Sequence, residues 1–114
     1  IELVKVMGAC RVGLCTSRTE SQHLAGIEMG ACGLPLVVPP VGCYWNREDM
    51  TKPSVYGVVV ADQSPAAISG NIRAMLPSRG DPEVVRAYWR KEFDKPVIKE
   101  QWMKLIEEVE CSGR

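Results

Sequence analysis

Three short apolar runs punctuate this chain, and between and beyond them apolar residues recur every three or four positions. The runs Arg11 to Cys15 (RVGLC), Pro35 to Val38 and Gly57 to Ala61 (GVVVA) each read as a short buried strand, and the uninterrupted valines of the third fit a parallel sheet covered on both faces. Before the first run, Glu2 to Gly8 reads as the end of a helix with Leu3, Val4 and Met7 on one face. After it, Thr16 to Glu20 is a polar turn, and Gln22 to Cys32 is a helix ended by Gly33. Pro39 to Tyr56 is a long irregular stretch of the kind that lines sites or moves. Ser64 and Pro65 start a further helix whose apolar face is Ile68, Ile72, Met75 and Leu76. Asp81 and Pro82 start another in the same way, with Val84, Val85, Tyr88 and Trp89 as its apolar positions. Pro96 separates that helix from a last one, striped by Ile98, Trp102, Leu105, Ile106 and Val109. The fold class is therefore α/β: a small parallel sheet flanked by helices, in effect half of a doubly wound domain. Strands that would complete the sheet on its N-terminal side are missing, so an open edge, or a partner or second copy covering it, is expected.

With 114 residues, the chain is a single domain with a modest core, about half of a typical two-domain enzyme. It begins at Ile1 rather than Met, which leads to the expectation of a fragment, or of a product related to only part of a larger protein. Fourteen Lys and Arg balance fourteen Asp and Glu, and their interspersion argues against a nucleic-acid surface or a polybasic membrane patch. Five cysteines form an odd set without a C-x-x-C pair; Cys10, Cys15 and Cys32 sit in apolar runs, as small hydrophobes do in a reduced cytoplasm. No stretch reads as a signal peptide or a transmembrane segment, since the longest nearly apolar run, Gly33 to Val41, is broken by three prolines. Gly26 and Gly30 form a G-x-x-x-G, but in a helix of about a dozen residues this signals close packing against the sheet.

Two carboxylates, Glu20 and Glu28, stand out in the strand-turn-helix unit: one at the helix mouth, the other two turns along, both able to face a ligand at the strand ends. The N–H groups of Gln22 to Ala25 would point into the same space, where they would hold a phosphate without metal. Spacing alone does not single the pair out, because Glu92 and Glu100, and Glu100 and Glu108, are also eight apart. Its setting does. Ser17, Glu20, Glu28, Gly33, Pro35, Val37 and Val38 match a pattern of serine, two residues, glutamate, seven residues, glutamate, then glycine, any residue, proline and a valine-rich strand. In this respect the chain resembles the C-terminal, donor-binding domain of retaining GT-B fold glycosyltransferases of the group 1 or family 4 type. The likeness continues through Gly42, Gly57 and the final helices, nearly the whole chain.

The resemblance implies a Rossmann-like domain that binds a nucleotide sugar and moves a hexosyl unit to an acceptor hydroxyl, with no cofactor and no obligatory metal. It makes Glu20 the catalytic carboxylate, contacting donor hydroxyls and steadying an oxocarbenium-like transition state. Glu28 would pair with the nucleotide ribose, and Ser21, Gln22, His23, Leu24 and Ala25 would line the donor. Where the family has Gly-Phe-Gly after its first glutamate, this chain has Ser21, Gln22 and His23, which places side chains where the backbone is usually bare. The family's basic diphosphate-binding residues lie upstream of this stretch and its acceptor domain is separate, so the isolated chain is expected not to turn over. Plainer readings stand beside these. For Glu20 the plainer reading is a favourable charge near a helix N-terminus, and for Glu28 an ordinary solvated helix residue; the matched setting of Glu20, and Ala25, Ile27 and Met29 reading as buried around Glu28, favour the functional readings. His23 is a phosphate donor from the first helical turn or an ordinary satisfied histidine, and Tyr44 and Trp45 stack on a base or anchor their loop. Tyr88, Trp89 and Trp102 read as core or interface, and Arg86, Arg90 and Lys91 as a solvated face. The competing function is a non-catalytic interaction module on the same truncated fold.

Overall fold

A computed structural model describes residues 2–77 and 80–112. Its centre is a parallel three-stranded sheet in the order β1 (Gly13–Leu14), β2 (Leu36–Val38), β3 (Gly57–Val59). Gly13 lies opposite Leu36, and Leu36 in turn opposite Gly57. The strands are shorter than the apolar runs, yet their ladders continue by single bonds, from Cys15 N–H to the Val37 carbonyl (3.0 Å) and from Val60 N–H to the Val38 carbonyl (2.8 Å).

Alternation along β2 divides the core in two. Leu36 and Val38 pack with Leu34, Tyr44, Met50, Val85 and Trp89 on one face, and Val37 packs with Val58, Val60 and Met75 on the other. The first face is covered by α2 (Leu24–Ala31) and α4 (Pro82–Phe93), the second by α3 (Pro65–Met75). The sheet is thus covered on both sides, as the valine runs require. Ser64 caps α3 by accepting the Ala67 N–H, and Asp81 caps α4 by accepting that of Glu83, each with proline in the first turn. Gly33, at φ 85°, closes α2: Leu34 N–H reaches the Met29 carbonyl and Gly33 N–H that of Gly30, a Schellman arrangement that needs the left-handed conformation glycine takes without strain.

Three expectations are corrected. The helix of the strand-turn-helix unit begins at Leu24, not Gln22, because the Gln22 carbonyl is bound to the Cys43 N–H (3.2 Å) and the preceding chain is held on the Gly42–Tyr44 turn. Ala25 is exposed rather than buried, and Ile27 and Met29 are half-buried. Pro96 does not separate the last two helices: Asp94 ends α4 and caps α5 (Lys95–Cys111), which carries Pro96 in its own first turn. Of the two readings of Trp102, core or interface, core is excluded: Trp102 (60 % exposed), Leu105, Ile106 and Val109 of the α5 stripe are open to solvent, and Ile98 is half-buried. Leu3, Val4 and Val6 of α1 (Glu2–Ala9) are equally open, and only Met7 of that helix packs on the core.

Candidate functional site

At the end of β1 the chain enters the core for one residue and leaves it again. Cys15 is buried, and its thiol donates to Ser17 Oγ at 3.5 Å, whose hydroxyl donates in turn to Glu20 Oε1 at 2.8 Å. Serine and glutamate three residues apart are thereby joined, and the carboxylate of Glu20 is oriented although the residue is exposed. Ser21 and Gln22 are exposed. Gly42, at φ 56°, sits against this segment; a Cβ there would crowd the backbone of Gln22 and the Cβ of Glu20.

His23 follows in the left-handed region, φ 67° and ψ 65°, and precedes α2 without capping it by its side chain. Its Nδ1 lies 2.5 Å from Tyr44 Oη, and the two rings meet edge to face. Tyr44 is wholly buried, and burial first, then the neighbouring Cys43 and Cys15 thiols, raises its hydroxyl pKa well beyond the tyrosine range, so the phenol keeps its proton. Tyr44 thus anchors the loop, and His23 stands before the first turn of α2 with Nδ1 engaged by the Tyr44 hydroxyl. Trp45, its neighbour, is 66 % exposed.

Gly26 and Ile27 direct their N–H groups to the His23 carbonyl, which leaves Leu24 and Ala25, both exposed, to supply the terminal donors of α2. Glu28 is exposed on the same helix. A cleft of about 450 Å³ lies beyond the C-terminal ends of all three strands, walled by Thr16, Ser17 and Arg18 after β1, Pro39 to Val41 after β2, and Ala61 and Gln63 after β3. Glu20 adjoins it through Ser17, whereas neither Glu20 nor Glu28 belongs to its wall.

Sequence reasoning passed over two groupings. Arg47 donates through both terminal nitrogens to Glu92 (2.9 and 2.6 Å), through Nε to the Cys43 carbonyl (2.7 Å), and to Tyr88 Oη (3.1 Å), with its guanidinium beside the rings of Tyr88, Trp89 and Phe93. Burial opposes its charge, but the bonds to Glu92 and Tyr88 outweigh burial and raise its pKa. The pair pins the loop after β2 to α4, a contact of partners 45 residues apart that no local pattern announces. The second grouping is Cys15, Glu20 and His23, whose ligand atoms all lie within 4.8 Å of one another. Cys15 had been assigned to packing alone, and the loop's path, which brings His23 back to it, depends on the distant Gly42–Tyr44 turn. No family model, no curated protein and no solved structure matches this chain.

Proposed function

We propose that this chain is the sugar-nucleotide-binding portion of a retaining glycosyltransferase that moves a hexosyl unit from a nucleoside diphosphate to an acceptor hydroxyl. The observation that carries the proposal is the strand-end cleft with the Ser17 to Glu20 hydrogen bond at its rim. Ligands of open parallel sheets bind beyond the carboxyl ends of the strands, and about 450 Å³ falls within the roughly 300–1,000 Å³ of small-molecule sites. Arg18 in the wall and the terminal N–H groups of α2 supply positive potential for a diphosphate without metal. Glu20, held by Ser17, is the acid placed to meet the sugar; Glu28 is assigned to the ribose, and Ser21 to Ala25 to the donor's flank. The chain alone should bind donor without transferring it. Titration of nucleoside diphosphates and their sugars is the test: one base should give heat and a melting shift at millimolar ligand, unchanged by EDTA, and silence across the panel would end the proposal.

A second reading rests on α5. Beside its exposed stripe, Lys95 and Lys99 lie near the N-terminus and Glu107, Glu108 and Glu110 near the C-terminus. That order is the reverse of what the helix dipole favours. A second copy of α5 laid antiparallel would set bases against acids and cover both stripes, which supports a self-associating module.

A further inference from the structure

Cys15, Glu20 and His23 set a thiol, a carboxylate and an imidazole around one point, all three from a single loop. Donor atoms around a tetrahedral zinc ion are about 3.5 Å apart for bond lengths of ~2.0–2.3 Å, so a spread of 4.8 Å closes with an inward movement of about 1 Å. Glu20 is exposed and tied only to the neighbouring Ser17 hydroxyl, so the two can shift together by that amount, while Cys15 is fixed in the core and His23 is held by Tyr44. The ligands also carry outer partners of the kind that orient metal sites: Ser17 Oγ on Glu20 at 2.8 Å and Tyr44 Oη on His23 Nδ1 at 2.5 Å. His23 meanwhile occupies a left-handed backbone conformation that non-glycine residues seldom take.

The geometry points to a zinc site formed by Cys15, Glu20 and His23, with a fourth position open to water or an incoming group. Thiolate and imidazole together select zinc over magnesium or calcium, which favour all-oxygen sets. On binding, the Cys15 S–H bond gives its proton to solvent, the sulfur keeps the electron pair and donates it to the metal, and neutral His23 contributes a ring nitrogen lone pair. The inference does not depend on the glycosyl-transfer reading. Where both hold, zinc engages the carboxylate assigned to the donor sugar and the two compete, so indifference of donor binding to EDTA is expected of zinc-free protein.

The test uses the full chain with Cys10 and Cys111, both exposed thiols, changed to serine. Zinc is titrated against a chromophoric chelator, and cobalt serves as the spectroscopic probe. One zinc per chain is expected, with a thiolate-to-cobalt charge-transfer band and no response to magnesium. Tyr44→Phe, which leaves the ring in the core, should weaken zinc by about 10–100-fold, the usual effect of losing an outer partner. Cys15→Ser and His23→Asn should each weaken it further and abolish or shift the cobalt band, asparagine being chosen because it tolerates the left-handed backbone. If Cys15→Ser does not fold by circular dichroism, His23→Asn and the exposed Glu20→Gln carry the test by themselves. Unchanged affinity in those variants, or loss of binding with Cys10 and Cys111 alone, would overturn the site.

Discussion

Tyr44 and Trp45 are neighbours in sequence and opposites in role, one wholly buried and bonded to His23, the other open to solvent. Their types alone could not divide them, because the division follows from how the 3-10 turn meets α2. Ser17 and Glu20 were legible as members of one sequence pattern, and their hydrogen bond adds a local contact which that pattern does not state. The meeting of Cys15 with His23 was not legible, since seven residues of irregular chain separate them. Burial raises the Cys43 thiol and pushes Tyr88 up to about 12. For both groups the sign is the same: below their ordinary values of 9.0 and 10.0 the folded and unfolded chains hold these protons alike. Above them the unfolded chain deprotonates first, and stability falls as pH rises, for Tyr88 through about 12. Thermal melts should therefore shift downward from pH 8 to pH 11, and Tyr88→Phe should lessen the drop; a flat profile would contradict this. Under the glycosyl-transfer proposal the two glutamates should also separate. Glu28→Ala should weaken a nucleoside diphosphate by about 1–3 kcal/mol, the range for hydrogen bonds to a charged group. Glu20→Ala should leave sugar-free nucleotide untouched and, in a reconstructed complete enzyme, lower turnover more than donor binding. Equal loss of stability in both, with no ligand effect, would make the pair structural.

At the scale of elements, helix starts marked by Ser64-Pro65 and Asp81-Pro82 were plain in the sequence, since capping is local chemistry. The start of α2 was displaced by two residues because tertiary bonds to the Gly42–Tyr44 turn hold the Gln22 backbone. Gly26 and Gly30 are packing glycines, but their neighbours are the Tyr44 turn, His23 and α4 rather than the sheet. Both are buried, and an added Cβ would run into Tyr44 and His23 at the first and into the Trp89 indole at the second. Among the described residues Trp89 Nε1 is buried without a hydrogen-bond partner, so this indole sits there for its apolar contacts, edge-on to Tyr44 and stacked on Phe93. Gly30→Ala would gain about 1 kcal/mol of helix propensity but should lose more to overpacking, typically ~1–3 kcal/mol. The expected net effect is a lower denaturation midpoint, with recovery when Trp89→Leu makes room; a stabilised Gly30→Ala variant would show that α2 and α4 separate easily.

The whole molecule is elongated. Its radius of gyration is 16.0 Å, with extents of 54 × 31 × 23 Å, against about 13 Å for a compact domain of this length. No helix among the described residues is long and apolar enough to cross a membrane. The coarse architecture, a small parallel sheet between helices, was legible because buried parallel strands and amphipathic helices have distinct periods. The fate of α5 was not: an apolar stripe shows that a helix face wants cover without specifying what covers it. Sedimentation should find concentration-dependent association, strengthened at low salt by the opposed charges of α5, and Trp102→Glu with Ile106→Glu should return the chain to monomers. A stable monomer with a high, cooperative melt would contradict that. The sheet register has a kinetic consequence. β2 is the shared neighbour of both outer strands, and Gly13, Leu36 and Gly57 stand in one row across 23 and then 21 residues of chain. Each pairing must close a long loop before its first hydrogen bond forms, while every helix can form locally and early. Pairing of the sheet, not helix formation, is therefore expected to set the folding rate, with both outer strands unpaired until β2 docks. Refolding yield should then depend on protein concentration well before any equilibrium property does.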